Sequence, residues 1–162
     1  MLVGEAPGAD EDRTGFPFMG RSGELLNEAL IETFGGAYGT WVYITNMVKC
    51  RPPGNRNPTD SEVTACSPFL KQEIEEVVQP KLIVVLGKVA AERFLQRPVK
   101  ITKEHGNLDF TDDGQAVLIC YHPAYVLRNQ KPEIKQGFFQ AIQDARRIAY
   151  GTHDSVHERS TR

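Results

Sequence analysis

The feature that most constrains the fold of this chain is an uninterrupted apolar run at residues 82–86, LIVVL, which ends in Gly87. A strand with one face in water alternates apolar and polar residues, whereas a strand buried on both faces is apolar throughout. Residues 89–96 then continue with apolar side chains at helical spacing. The run therefore predicts a central strand of a sheet whose two faces are covered by helices.

The rest of the chain repeats this alternation of strands and helices. Strands are expected at residues 1–4, 41–44, 82–86 and 116–120, and helices at residues 24–34, 59–79, 89–96 and 132–149, with a short connection or hairpin arm over 101–110. This order predicts a three-layer α/β/α domain with a central four-stranded, mainly parallel sheet. Residues 1–150 are expected to form this single domain, and residues 151–162 a flexible C-terminal tail.

The composition excludes several classes of protein. The chain has 162 residues, of which 40% are hydrophobic and 25% charged, and no apolar run approaches the ~18 residues of a membrane span. Its three cysteines are an odd number, which disfavours a closed disulfide framework and favours a reducing compartment. A cytoplasmic protein is therefore expected, and the net charge of −2 gives no global sign of a polyanionic partner.

Three predicted strands end in polar loops, which carry Glu5, Asn46 and His122. Parallel strands present their C-terminal ends at one edge of a sheet, so these side chains are expected to converge. A carboxylate, an amide and an imidazole can together transfer protons and recognise the edge of a small planar ligand. Each also has a structural alternative: Glu5 could cap a helix, Asn46 could bond turn backbone, and His122 could be a core histidine.

The loop between the first strand and the first helix, residues 5–23, is much longer than the ~2–6 residues typical of such connections, and long loops are often functional. Its opening glycines match neither the dinucleotide pattern nor the nucleoside-triphosphate pattern. A phosphate-bearing cofactor is therefore not expected.

Four segments stand out when they are taken together: GEAPG at residues 4–8, GFPFMG at 15–20, NMVKCRPPGNR at 46–56 and HPA at 122–124. In combination they resemble the family 4 uracil-DNA glycosylases of the uracil-DNA glycosylase superfamily, and the resemblance extends over residues 1–149. It implies an enzyme that flips uracil out of DNA and hydrolyses its N-glycosidic bond. The product would be an abasic site, the first intermediate of base excision repair.

The resemblance also implies a role for each pocket residue. Phe18 would stack on uracil, and Asn46 would pair with the N3 and O4 edge and reject cytosine. His122 would stabilise the negative charge that develops on uracil O2, a contribution of about 3–4 kcal/mol. Glu5 would orient or activate the water, or stabilise the cationic sugar.

Ala6 lies in the same uracil-binding motif, at the position where another branch of the superfamily has a water-activating aspartate. Alanine cannot accept a proton, so Glu5 is the nearest substitute. An alternative of a different class therefore stays open: a non-catalytic or covalently trapping protein that binds uracil-DNA without releasing uracil. A second alternative is a Cys/His metal-binding interaction module, although the cysteine spacing matches no compact zinc pattern.

The partner implied by the resemblance is uracil-containing DNA, bound by a monomer. Tyr125, Val126 or Leu127 would enter the duplex as an apolar wedge behind the flipped base. The basic residues expected to contact phosphates around the pocket are Lys49, Arg51, Arg56, Arg128 and Lys131. Taken alone, Val126 and Leu127 could instead begin a buried helical turn, and the basic cluster could be a solvated surface.

The family usually binds a 4Fe–4S cluster through four thiolates. Cys50 and Cys66 correspond in position to the downstream pair of ligands, whereas the upstream pair has no counterpart here. Cys120, next to the predicted pocket, is poorly placed to help. No cofactor is therefore expected, and because the numbering starts at Met1 a clusterless protein is favoured over a fragment; Cys50 and Cys66 would be metal ligands only if an upstream pair were supplied.

Overall fold

The computed structural model of the protein describes residues 1–151, so the predicted tail lies almost entirely outside the described residues. One sheet of five strands runs through the described part, in the order β2-β1-β3-β5-β4. The strands are β1 (Leu2–Gly4), β2 (Ile44–Asn46), β3 (Ile83–Leu86), β4 (Leu108–Phe110) and β5 (Ala116–Cys120). All neighbouring pairs are parallel except β4 with β5. The predicted α/β class is confirmed, with one strand more than the four expected.

Helices lie on both faces of the sheet. They are α1 (Ala9–Thr14), α2 (Arg21–Phe34), α3 (Asp60–Gln72), α4 (Lys88–Leu95), α5 (Ile101–Glu104), α6 (Pro123–Asn129) and α7 (Pro132–Tyr150), with a π-helical turn at Glu73–Val78 and short 3-10 turns at Tyr38–Thr40 and Pro53–Asn55. No helix within residues 1–151 is long and apolar enough to cross a membrane.

The continuous apolar run forms the centre of the sheet, as its pattern predicts. All four residues of β3 are buried, and β3 lies between β1 and β5. On one face, Leu26 and Leu30 of α2 pack with Phe138 and Ile142 of α7. The other face is covered by a second cluster that includes α4. Burial of each large aliphatic side chain contributes about 1.5–3 kcal/mol, so the two clusters hold the strand ends in fixed relative positions.

The second strand lies further along the chain than the sequence predicts. Residues 41–44 were expected because they are aromatic and β-branched, yet Trp41 is 51% exposed and the paired segment is Ile44–Asn46. The prediction is wrong because aromatic residues that pack on a surface follow the same local pattern as residues of a strand. In the observed register Asn46 is the last residue of β2 and lies opposite Gly4.

Two helices occupy segments that were predicted as loops. Residues Ala9–Thr14 form α1 inside the long first loop and end at Gly15, whose φ of +79° suits glycine. Residues Pro123–Asn129 form α6 directly after His122. The segment 101–110, expected as a connection or a hairpin arm, contains α5 and the antiparallel edge strand β4.

Candidate active site

The adjacent ends of β1 and β2 bring Asn46 against the first loop. The backbone N–H of Met47 donates to the carbonyl of Gly4 at 2.9 Å, and that of Val48 donates to the carbonyl of Glu5 at 3.3 Å. The Asn46 side chain is buried. A Cβ at Gly4 would lie 2.4 Å from Asn46 Oδ1 and 2.7 Å from Phe18 Cζ. Only glycine therefore allows the amide and the aromatic ring to approach each other over the end of β1.

Phe18 is held in an unusual backbone conformation. Its φ is +56°, in the left-handed region that large L-residues rarely adopt. The start of α2 packs directly on this backbone, since a Cβ at Gly23 would lie 1.6 Å from the Phe18 carbonyl oxygen. The result is a half-buried aromatic ring whose centroid lies 6.0 Å from that of the His122 imidazole.

The environment of His122 determines both its charge and its tautomer. Nδ1 accepts a hydrogen bond from the backbone N–H of Ala124 at 3.1 Å, which caps α6. Burial lowers the pKa of His122 to about 4; the positive charge of Arg128 acts in the same direction and Glu11 opposes it. The imidazole is therefore neutral at physiological pH, and because Nδ1 is an acceptor, its proton resides on Nε2.

Glu5 follows β1 and is half-buried. Burial raises the pKa of its carboxyl group above the ordinary value. A carboxylate with a raised pKa is a stronger base, which suits a group that orients or deprotonates water. Ala6, the next residue, contributes no polar group.

Asn46 and Phe18 thus both lie over Gly4, and the Phe18 ring lies beside the imidazole of His122. Glu5 follows Gly4 in the chain. The ends of β1, β2 and β5 lie at one edge of the sheet, as predicted, because these strands run in the same direction. The convergence of the Glu5 side chain with those of Asn46 and His122 stays a prediction. The individual roles of Glu5, Phe18, Asn46 and His122 toward uracil stay predictions.

The sequence predicts that Lys49 contacts a phosphate, but its ammonium group is already bonded inside the protein. Its Nζ donates to Thr45 Oγ1 at 2.7 Å, to the Asn46 carbonyl at 2.9 Å and to Glu73 Oε2 at 2.7 Å. Its three donors are therefore all used inside the protein. The ammonium group instead fixes the backbone from which the Asn46 side chain projects.

The expected phosphate contacts differ in how free their charges are. Arg56 forms a bidentate pair with Glu62, with both N–O distances at 2.8 Å, and the pair together with the Thr59 backbone lowers the pKa of Glu62 to about 2. Arg51 Nε donates to Asn55 Oδ1 at 2.6 Å. Arg128 is exposed on α6. Of these three, Arg128 is the best placed to meet a phosphate.

The wedge segment is the helix α6 rather than a loop. Val126 is 4% exposed and belongs to the main core cluster, so the prediction that Val126 enters the duplex is wrong. The buried-turn alternative is correct for this residue, because a helix starting at Pro123 turns position 126 inward. Tyr125 and Leu127 are partly buried. Their insertion into DNA stays a prediction.

Cys66 lies close to the residue before Cys50, since the backbone N–H of Lys49 donates to its Sγ at 3.4 Å. Cys50 is exposed, whereas Cys120 is fully buried and its thiol pKa is raised by burial. Within residues 1–151 no group of three or more His, Cys, Asp or Glu side chains is placed to hold a metal ion. Cys50 and Cys66 supply only two of the four thiolates that a 4Fe–4S cluster needs, so the described residues do not fit such a cluster.

Two residues that shape the site, Glu11 and Glu73, have no role assigned to them from the sequence. Glu11 accepts three backbone N–H groups of the first loop, and Glu73 pairs with Lys49. Glu11 had a signal, because it stands three residues after Gly8 at the spacing of a helix capping box. Glu73 had none, since it is 24 residues from its partner. Both side chains line a cavity of about 380 Å³ that also reaches Asn46.

The chain belongs to the uracil-DNA glycosylase superfamily: the sequence description of the Uracil DNA glycosylase superfamily matches residues 1–146. This confirms the superfamily that the four motifs indicated.

Within the superfamily the chain is similar to Type-4 uracil-DNA glycosylases. It is 44% identical to that of Thermotoga maritima over 147 residues, covering 90% of this chain and 75% of the relative. It is 43% identical to that of Pyrobaculum aerophilum, covering 85% and 71%. The identity to the protein of Sulfurisphaera tokodaii is 38%, covering 92% and 69%. The predicted resemblance to family 4 is confirmed.

Proposed function

We propose that this protein is a uracil-DNA glycosylase, a hydrolase of N-glycosyl bonds that removes uracil from DNA and leaves an abasic site for base excision repair. The observation that carries the proposal is the hydrogen bond from the Ala124 N–H to His122 Nδ1, which leaves Nε2 as the donor of an imidazole that lies beside the ring of Phe18. The similarity to Type-4 uracil-DNA glycosylases supports the same activity.

Recognition of uracil follows from the chemistry of Asn46 and Phe18. Uracil presents a carbonyl acceptor at O4 and a donor at N3–H, which match the amide N–H and the amide oxygen of asparagine. Cytosine presents a donor and an acceptor in the reverse order, so it would leave buried polar groups unpaired at a cost of about 1–3 kcal/mol each. The Phe18 face supplies a stacking platform for the flipped base.

Bond cleavage places negative charge on the leaving uracil and positive charge on the sugar. A hydrogen bond to uracil O2 is stronger in the transition state than in the ground state, because O2 gains negative charge as the bond breaks. The Nε2–H of His122 therefore lowers the barrier. Glu5 acts on the nucleophile rather than on the leaving group: it orients or deprotonates the attacking water. In this assignment Glu5 replaces the base that Ala6 cannot supply.

The remaining proposals concern DNA and cell compartment. Tyr125 and Leu127 would fill the space behind the flipped base, and Arg128 would contact a phosphate, with smaller contributions from Arg51 and Arg56. The protein would act on DNA as a monomer. Three free thiols support a reducing compartment, the cytoplasm.

The test is an end-labelled oligonucleotide with one uracil, single-stranded and opposite G or A, assayed for free uracil and for alkali-labile breaks. Wild type should yield both in equal amounts, and His122→Ala should lose about 10²–10³-fold in rate. A shifted DNA band without free uracil would mean a binding protein. A denaturant-resistant protein–DNA adduct would mean a covalent trap.

A further inference from the structure

We propose that Glu11 is a positioning residue for the uracil pocket: its carboxylate gathers the two ends of the Phe18-bearing segment and sets the place of the stacking ring. This inference rests on the proposed function for its kinetic readout. Glu11 is not among the side chains assigned above to uracil or to the attacking water, and its carboxylate oxygens are taken up by backbone N–H groups.

The geometry of the carboxylate is that of a backbone clamp. Glu11 Oε2 accepts the N–H of Gly8 at 2.9 Å, and Oε1 accepts the N–H groups of Met19 at 2.8 Å and Gly20 at 3.1 Å. Gly8 and Met19 lie on opposite sides of α1 in the chain. One side chain therefore closes the loop that starts behind Glu5 and ends at α2.

The clamp is charged. Glu11 is partly buried, which by itself would raise its pKa, yet the backbone N–H groups around it give a net lowering. The carboxylate is thus ionised at neutral pH, and hydrogen bonds to an ionised acceptor are roughly twice as strong as those between neutral groups. A neutral side chain of the same shape would make a weaker clamp.

Phe18 is the residue that most needs this support. Its left-handed φ of +56° is unfavourable for a large L-residue and persists only where neighbouring structure holds it. The residue directly after it, Met19, is bound to Glu11, and the following Gly20 is both bound to Glu11 and the N-cap of α2. The clamp therefore acts on the backbone next to the stacking ring.

The clamp also reaches His122 electrostatically. Glu11 is the negative charge that raises the pKa of His122, against burial and Arg128, which lower it. Neutralising Glu11 should therefore lower the pKa of His122 further. This provides a readout that a loss of folding stability would not mimic.

The experiment compares Glu11→Gln, Glu11→Asp and, as a matched control, Asp12→Asn, which neutralises the exposed carboxylate next in the chain. Steady-state uracil release gives kcat/KM and kcat, and imidazole NMR gives the pKa of His122. Glu11→Gln should lose ~10–100-fold in kcat/KM, since a misplacement of about 1 Å costs up to ~100-fold. Asp12→Asn should stay within twofold. Glu11→Asp, which keeps the charge, should retain the His122 pKa.

The proposal is overturned if folded Glu11→Gln releases uracil within twofold of wild type, or if its loss of rate only follows its unfolded fraction in a denaturant titration. A wild type that releases no uracil defeats the proposed function instead. In that event the clamp is judged by the amide shifts of Gly8, Met19 and Gly20: changes at all three in Glu11→Gln support it, and their absence overturns it.

Discussion

The two loops that form the site are held by single charged side chains of opposite sign. In the first loop the Glu11 carboxylate accepts three backbone N–H groups. In the second, the Lys49 ammonium donates to two oxygens of its own segment and to Glu73. A carboxylate can satisfy only donors and an ammonium only acceptors. The first loop therefore presents backbone N–H groups to Glu11, and the second presents the Asn46 carbonyl and the Thr45 hydroxyl oxygen to Lys49.

The difference lies in what each anchor is attached to. All the hydrogen bonds that Glu11 accepts come from its own loop, between Gly8 and Gly20. Lys49 ties its loop to Glu73 on the π-helical turn after α3, through a pair whose side chains are only 27% and 20% exposed. We therefore expect damage at Glu11 to appear mainly in catalysis and damage at Lys49 mainly in stability.

The largest expected effect comes from Lys49→Met, which leaves the Glu73 carboxylate without its partner. Removing one member of a buried pair is destabilising by about 3–5 kcal/mol, and the partial exposure of this pair reduces the expectation to about 2–4 kcal/mol. Urea unfolding measures it. The control is Lys71→Met, whose exposed partner Glu75 lies 3.8 Å away and which should change stability by less than about 0.5 kcal/mol. Equal losses in the two variants would contradict the anchor role of Lys49.

The next effect comes from Gly4→Ala, which inserts a methyl group where the two loops meet. The new Cβ would displace the Asn46 amide and the Phe18 ring, so uracil release should fall by about 100-fold while the core stays intact. Gly36→Ala is the control, because nothing lies within 4 Å of its Cβ. If the two alanine variants cleave at the same rate, the contact between the loops is not needed for catalysis.

Unfolding free energies measured over a range of pH test the environment of His122, which follows β5. The pKa of His122 is 6.5 in its ordinary state and about 4 in the folded protein, so the unfolded chain binds a proton more readily between these values. Its contribution to stability is complete above about pH 6.5 and is lost as the pH falls toward 4, by at most about 1.4 kcal/mol per pH unit. Unfolding free energies of wild type and His122→Gln should therefore converge on acidification. Parallel curves would show that His122 is not buried in its neutral form.

Smaller effects, on DNA binding, are expected at the basic residues around the pocket. Arg128→Gln should weaken DNA binding and reduce the slope of log K against log salt by about 1, as expected for one phosphate contact. Arg56→Gln should change the slope less, because Glu62 already neutralises that charge. Fluorescence anisotropy on single-stranded uracil-DNA over a salt range measures both slopes. A larger change of slope for Arg56→Gln than for Arg128→Gln would indicate that the DNA phosphates lie along the Arg56 side of the pocket.

The parts predicted correctly from the sequence are those with a local signal. The run at 82–86 has one environment compatible with its composition, and β5 was predicted with its observed bounds, Ala116–Cys120. The strand predicted at 41–44 is wrong because aromatic residues that pack on a surface have the same local sequence pattern as residues of a strand. The wedge role predicted for Val126 is wrong because the segment after His122 is a helix, α6, which turns this side chain into the core. The pairing of Lys49 with Glu73 depends on tertiary structure alone, and no spacing rule could have revealed it.

Catalysis at this site depends on a neutral His122 whose proton is on Nε2 and faces the bound uracil. The most direct measurement is ¹⁵N NMR of the imidazole at pH 7, followed by a titration to acid. The expected spectrum has an unprotonated Nδ1 and a protonated Nε2, unchanged until the pH approaches 4. An imidazolium at pH 7, or a proton on Nδ1, would contradict the account, because either state breaks the hydrogen bond from Ala124 that fixes the ring.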